Sequence, residues 1–341
     1  MISRLSPRLA RFRPAELIAW LALAFGPLIL LSVAVLTEDS FSLFSRQVAA
    51  GLASGSLYAI VALALVLIYR STDIVNFGQG EMAMLSTFFA WSFLNTMELW
   101  AAIPLTLAVA FMMGAIIERV VIRRVENAPV LNAVIVTLGL FVICNGLANW
   151  IYGPIPRPFP SPFAELAGNL GDSDTNVSIG EVTVAWHSVG VFATALCLTL
   201  LLFVFFQRTK LGLAVRAAAQ NPVAARLVGI RVNRMLTLGW AMSSMVGALA
   251  GMLVAHILQL DFNLMLTVLI FAFAAAVLGG LDSPLGAVLG GLIIGVVENL
   301  AGALSFYDIG QIKTVVAFLA IVGVLVIRPT GLLGKRGAQR V

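Results

Sequence analysis

Charge is what this chain has least of. Asp, Glu, Lys and Arg make up 11% of its 341 residues, against roughly a quarter in soluble domains, while 60% of the residues are hydrophobic and the mean hydropathy is +1.02. Such a composition leaves no room for a soluble catalytic domain. Cysteine is nearly absent too. Cys144 and Cys197 both fall in apolar runs, which argues against a disulfide framework and leaves two apolar thiols. There is no Walker A loop, no other glycine-rich nucleotide loop, no nucleophile triad and nothing that reads as a metal site. Energy for concentrative transport would have to come from an ion gradient or from a partner.

What is present is a series of apolar runs about 20 residues long, the length a helix needs to cross a bilayer. They predict an all-α polytopic membrane protein rather than a barrel, a single transmembrane unit over 1–341. Ten spans can be drawn, at 16–36, 48–69, 81–97, 100–117, 131–152, 183–206, 236–258, 263–280, 284–303 and 313–328. An eight-span count stays open, with a re-entrant piece inside 71–97 or 281–303. The first run is long for a signal-peptide core and has no small-x-small cleavage site before the polar TEDS, so it is kept as a span. A pI near 9.7 raises the question of nucleic acid, but the basic residues follow topology instead. With the N-terminus inside, only Arg46, Arg157 and Lys313 of the 21 Lys and Arg fall outside, which predicts both termini in the cytoplasm.

The one substantial outside region, 153–182, starts GPIPRPFPSPF and continues through a Gly, Asp and Asn cluster. Proline stiffness followed by turn residues predicts a structured loop over the external mouth. The NVS at Asn176 matches a glycosylation acceptor, a weak pattern. GLASG at Gly51–Gly55, GALAG at Gly247–Gly251 and the glycines of Gly286–Gly295 sit one helical turn apart, which predicts close helix packing and, across the two halves, an inverted repeat.

The longest polar interruption in the second half, 207–235, carries Arg208, Lys210, Arg216, Arg226, Arg231 and Arg234 without one Asp or Glu. It is written as helix. Lys210 to Ala219 is rich in Ala and Leu, Asn221 can cap a second short helix, Pro222 suits its first position and Gly229 can end it. Such a basic double helix reads as a docking surface, or as a loop that only fixes topology, with its arginines meeting lipid phosphates.

Polar residues within apolar stretches give the candidate pathway. The segment IYRSTDIVNFGQGE, Ile68 to Glu81, interrupts a helix with Arg70, Asp73, Asn76, Gln79 and Glu81, either as a broken helix lining a path or gate or as a short turn with capping carboxylates. Glu298 and Asn299 lie inside a span and must face the bundle interior. Ser54, Ser56 and Tyr58, with Thr137, offer hydroxyls to a solute or to neighbouring helices. Asn145 and His256 read as satisfied polar contacts.

Five blocks in order then carry a resemblance. GLASGSLYAIVALALVLIY at 51–69 with NFGQGE at 76–81, ERVVIRR at 118–124, TKLGLAVRAAAQNPVAARLVGI at 209–230, FAAAVLGGLDSPLGAVLGGLIIGVVEN at 273–299 and RPTGLLG at 328–334 are together similar to the inner-membrane permeases of branched-chain amino acid ABC importers, the LivH type. The resemblance covers nearly all of the chain from Gly51 onward. It implies an ABC importer permease fold in a bacterial inner membrane, with Lys210, Gly212, Arg216, Asn221, Pro222, Arg226 and Gly229 forming the surface that couples to one or two ATP-binding subunits. ATP and Mg would act there, and this chain would bind no cofactor and hydrolyse nothing. It also implies a LivM-like second permease or a second copy of this chain, a periplasmic substrate-binding protein, surrounding lipid and no nucleic-acid partner. Ser54, Tyr58, Asn76, Gln79, Glu81, Thr137, Glu298 and Asn299 are then the pathway or gate candidates. Gly78 and Gln79 stand where the family usually has Ala and His, and about thirty extra residues precede the common core. The first departure leaves urea, short amides or other amino acids open as substrates. Outside the resemblance, an ion-coupled secondary transporter, a passive channel and a non-transporting scaffold are the competing readings.

Overall fold

Chain order in the computed structural model is α1 (Ser40–Thr72), α2 (Gln79–Leu94), α3 (Leu99–Val120), α4 (Val130–Tyr152), β1 (Asn176–Ile179), β2 (Val182–Ala185), α5 (Trp186–Arg208), α6 (Lys210–Gln220), α7 (Pro222–Leu227), α8 (Val232–Leu258), α9 (Leu266–Gly279) and α10 (Pro284–Ala303). The structure describes residues 40–125, 128–163, 176–179, 182–303, 315, 319, 322–323 and 331–334. The span expected at 16–36 lies outside these residues, as does all but a few positions of that at 313–328. Among the described residues six segments are long and apolar enough to cross a membrane: Phe44–Thr72, Leu99–Arg124, Leu131–Tyr152, Trp186–Arg208, Val232–Leu258 and Pro284–Gly302. The protein is an all-α polytopic membrane protein whose described β structure is one antiparallel ribbon, β1–β2, with Asn176 opposite Ala185, and an isolated bridge between Arg157 and Leu260.

Helix α1 is the centre of the bundle. Its sequence is apolar on every side, a pattern stable only when the helix is surrounded, and each residue from Ser56 to Ile68 is buried. Helices α10, α8, α9 and α5 all pack on it, α10 most extensively. That contact is a glycine seam. A Cβ added at Gly51 would lie 2.6 Å from Val296 Cα, and one at Gly55 would lie 2.7 Å from the Gly291 carbonyl oxygen. In lipid, apolar side chains gain nothing by leaving the solvent, so dispersion between closely approaching backbones has to hold such a pair together.

Two connections return into the bundle. Ser71, at the end of α1, packs on Gly239 of α8, whereas Gln79, at the start of α2, packs on Gly247 of the same helix. Eight residues of α8 correspond to about 12 Å, so residues 73–78 climb back along α8 before α2 begins. Similarly, Leu260 pairs with Arg157, while Met265 and Leu269 pack on Gly80. Helix α9 therefore starts level with the start of α2, and the two short helices run to opposite ends of the bundle. With 16 and 14 residues they rise about 24 and 21 Å, less than the roughly 30 Å of a hydrocarbon core. The spans expected at 81–97 and 263–280 are these two short helices. The stretch 281–303, in contrast, holds no re-entrant piece, because α10 is continuous from Pro284.

Candidate functional site

The break between α1 and α2 needs special chemistry because non-helical backbone inside a membrane protein must find partners within the protein. Asn76 supplies them: its Oδ1 accepts from the Gly78 amide at 3.0 Å, its carbonyl accepts from the Gln79 amide at 3.3 Å, and its Nδ2 donates to Gln79 Oε1 at 3.2 Å. Thr137 of α4 lies against the same segment, 3.5 Å from the Val75 carbonyl. Gln79 in turn donates to the Ser243 carbonyl at 3.3 Å, and Ser243 Oγ lies 3.2 Å from its Oε1. Two residues on, Glu81 Oε2 accepts from Asn145 Nδ2 at 3.2 Å, and the same amide donates to the Phe262 carbonyl at 2.7 Å. Asn145 thus ties the first turn of α2 to the connection leading into α9. Asn76, Gln79, Glu81 and Thr137 are all buried. An apolar cleft of about 360 Å³ opens beside this junction, lined by Phe77, Leu138, Phe141, Leu266, Leu269 and Phe273 among others.

The remaining pathway candidates form a separate cluster on the seam between α1 and α10. Tyr58 donates to Glu298 Oε2 at 2.6 Å and stacks on Phe271, while Asn299 Nδ2 donates to Ser54 Oγ at 2.8 Å. Tyr58 and Glu298 are buried; Ser54 and Asn299 are half-buried. Ser56 bonds its own helix, to the Leu52 carbonyl at 2.6 Å.

Three constellations were not assembled by sequence reasoning. At the β-ribbon end of the bundle, the chain's two histidines meet with ring centroids 4.3 Å apart. His187 Nε2 donates to the Leu253 carbonyl at 3.1 Å, which leaves Nδ1 to accept from Ser161 at 2.8 Å, and His256 Nδ1 donates to the Phe159 carbonyl at 3.1 Å. Arg157 lies over the Trp91 ring at 4.0 Å, donates to the Tyr152 carbonyl at 2.6 Å and exchanges backbone bonds with Leu260. Together they fasten residues 157–163 over the ends of α2, α5 and α8. At the opposite end, Glu118, 1% exposed, accepts from Arg123 at 2.8 and 3.2 Å and from Thr237 at 2.6 Å. Glu118 and Arg123 both lie in the ERVVIRR block, while their partner Thr237 is far away in sequence.

That opposite end also carries α6 and α7. Thr209 caps α6 by accepting from the Gly212 amide at 2.9 Å, and Asn221 caps α7 by accepting from the Ala224 amide at 3.0 Å. Pro222 opens α7 and Gly229, at φ +83°, follows its end in the left-handed conformation that glycine tolerates. Gly212 is buried against the backbone of Phe205 and Phe206, and Ala218, Ala225, Val232 and Leu236 form a small core beneath both helices. Lys210 and Arg226 are exposed, whereas Arg216 is half-buried. Leu227 and Val228 stand 85% and 76% exposed at the tip.

The family description "branched-chain amino acid transport system / permease component" matches residues 47–327. The chain belongs to this permease family. The permease's relatives include the high-affinity branched-chain amino acid transport system permease protein LivH of Escherichia coli, 28% identical over 89% of this chain and all of that one. BraD of Pseudomonas aeruginosa, described in the same words, is 30% identical over 87% of this chain and 98% of its own. The ribose import permease protein RbsC of Haemophilus influenzae is 24% identical over 80% and 81% of the two chains. The family therefore settles the permease role and not the substrate. A chain of the solved PsaBC–Fab complex from Streptococcus pneumoniae is 14% identical, covers 82% of this permease and 91% of that chain, and superposes at a TM-score of 0.44, too low to bear on the fold.

Proposed function

We propose that this permease is the translocation subunit of an ATP-driven importer that moves branched-chain or related amino acids from periplasm to cytoplasm. The observation that carries the reading is the α6–α7 element. Two capped helices are braced on α5 and α8 by a buried alanine and valine core, yet their tip exposes Leu227 and Val228 beside Arg226. A braced element ending in an exposed apolar tip suits a groove in a separate ATPase subunit, where ATP and Mg act. The α6–α7 end is then cytoplasmic, as are both termini, and the ribbon end with 153–182 faces the periplasm and a substrate-binding protein. The first, third, eighth and tenth spans of the ten-span plan complete the bundle around the six long helices. The opposed α1–α2 and α8–α9 units support the inverted repeat.

In the path itself, Gln79, Glu81, Asn76 and Thr137 hold the broken helix in place, while the half-buried Ser54 and Asn299, backed by Tyr58 and Glu298, meet the solute's polar end. The 360 Å³ apolar cleft offers its aliphatic end a surface. A second permease, LivM-like or another copy, seats against the outer face of α4, where nothing lies within 4 Å of a Cβ added at Gly139 or Gly146. Gln79, buried and bonded to Asn76 and the Ser243 carbonyl, is read as a structural residue on this proposal, with urea or short amides as the alternative substrates.

The test is reconstitution. Uptake should require the ATPase subunit and the receptor, and Leu227→Asp with Arg226→Glu should abolish ATPase association while membrane insertion persists. Uptake by this chain alone under an ion gradient, or simple downhill flux unaffected by those changes, would sink the coupling assignment. Ligand binding to the cognate receptor identifies the substrate.

A further inference from the structure

Beside the α6–α7 element, a cleft of about 660 Å³ runs along the seam of α3 and α8. Its inner part is apolar, lined by Phe111, Ala115, Leu238 and Ala241. Its outer part is lined by five arginines, Arg119, Arg123, Arg226, Arg231 and Arg234. Among the described residues the only carboxylate within 4.0 Å of any of them is Glu118, already engaged by Arg123 and Thr237. Arg231 and Arg234 stand at the N-cap and in the first turn of α8, which has no acidic residue there. The positive end of the α8 dipole adds to their potential, so an anion in the cleft would be favourable on both counts.

The apolar half selects the kind of anion. Phe111 precedes Arg119 by eight residues, so the lining extends about 12 Å along α3 from the arginines. Met112 and Ile116, next to the lining residues Phe111 and Ala115, are 60% and 57% exposed on a membrane-length helix, so the cleft borders the surface that meets acyl chains. A free inorganic anion fills only the arginine half. We propose that the cleft binds an anionic phospholipid, its phosphate among Arg119, Arg123, Arg231 and Arg234 and the first part of an acyl chain between α3 and α8. Basic pockets between transmembrane helices are suited to such headgroups. The site depends only on α3 and α8 crossing the membrane, and Arg226 at its rim is left out of the test so that lipid binding and ATPase coupling fail separately.

The experiment is native mass spectrometry of the detergent-purified full chain titrated with phosphatidylglycerol or with phosphatidylcholine of the same acyl chains. Phosphatidylglycerol should be retained preferentially. Arg231→Gln with Arg234→Gln should weaken it by roughly 30-fold, with phosphatidylcholine unaffected, since each basic residue near an anionic headgroup contributes about a factor of five. Arg46→Gln, outside the cleft, should change nothing. Should the double variant not fold, Ala115→Phe, which fills the apolar half and keeps every arginine, should reduce phosphatidylglycerol binding as well. Wild-type binding in both variants overturns the assignment, as does an equal loss in Arg46→Gln. Displacement by soluble glycerol phosphate at matched concentration would show that the acyl chain contributes nothing, and would overturn it too. A double variant that keeps its lipid but loses the ATPase subunit would give the cleft to that partner instead.

Discussion

Removing Arg123 should destabilise the protein more than removing Glu118, although the two share one ion pair. The reason is unequal burial: Glu118 is 1% exposed and Arg123 is 29% exposed. In Arg123→Met the carboxylate stays buried and loses both guanidinium bonds, keeping only the Thr237 hydroxyl. Stranding one member of a buried pair costs about 3–5 kcal/mol. In Glu118→Met the guanidinium still reaches water and the Asn233 carbonyl at 3.4 Å, and Thr237 turns its hydroxyl to that same carbonyl, 2.8 Å away. The loss there is that of ordinary hydrogen bonds, about 1–2 kcal/mol. Replacing both by Met removes the stranded charge, so the double variant should be more stable than Arg123→Met alone. Unfolding of the full chain in lipid-depleted detergent, followed by tryptophan fluorescence during denaturant titration, gives all three values. The reasoning fails if Glu118→Met is the worse single change, or if the double variant is the least stable of the three.

Three further outcomes are expected. Gly55→Val places a branched side chain where a Cβ alone already lies 2.7 Å from the Gly291 carbonyl oxygen and 2.9 Å from Leu292 Cα, so α10 has to move away; a loss of about 3 kcal/mol or failure to purify as a monodisperse species is expected, and wild-type unfolding would contradict the seam. Ser244 Oγ is buried with no hydrogen-bond partner among the described residues, so Ser244→Ala should leave stability unchanged or raise it by up to about 1 kcal/mol, whereas Gln79→Leu, which removes the bond to the Ser243 carbonyl and leaves Asn76 Nδ2 only the weaker contact with Met82 Sδ at 3.5 Å, should lower it by about 1–3 kcal/mol. His187→Phe keeps the ring contacts and deletes the bonds to Ser161 and Leu253; hydrogen exchange at the Phe163 amide, which donates to Ser161 Oγ, should speed up at least tenfold while exchange in α1 is unaffected.

The parts legible in the sequence are those set by neighbours along the chain. Apolar length placed the long helices to within a few residues, except that α1 begins at Ser40, eight residues ahead of the expected 48, and Asn221, Pro222 and Gly229 marked the start and end of α7 because capping is local chemistry. Glycine spacing announced close packing at Gly51–Gly55 and at Gly286–Gly295, but not that these two stretches meet. The break after Thr72 was also legible as a break, but its depth was not: that follows from where Ser71 and Gln79 land on α8, some 170 residues away. The same holds for Tyr58 with Glu298 and Ser54 with Asn299, whose partners lie about 240 residues apart. The histidine pair had an available signal, since His187 opens one span and His256 closes the next, which puts both at the same end of the bundle. The β-ribbon was hidden inside a region read only for its turns.

Helix α8 connects the two ends of the molecule. Its N-terminus follows α7 after only four residues, with the Ile230 amide bonded to the Ala225 carbonyl, so displacement of α7 is passed on without slack. Along its length it meets Ser71 through Gly239, Gln79 through Gly247 and Thr87 through Gly251, and on another side it closes on Gly114 of α3 through Ser244. Every one of these contacts joins a side chain to a glycine, so none is a deep interlock of two large side chains, and the geometry suits small sliding displacements of packed helices. The bonds that oppose a slide lie at three levels of α8: Thr237 to Glu118 near its start, Gln79 to Ser243 and Ser243 to the Ala64 carbonyl in its middle, and His187 to the Leu253 carbonyl near its end. On the proposed reading, movement at the ATPase-facing tip is carried by α8 past Glu118 and Ser71 to the start of α2, the point where the two short helices meet beside the apolar cleft. The polar residues of the break then serve transport by holding that junction in one arrangement until α8 moves, and contact with the solute falls to the half-buried pair Ser54 and Asn299.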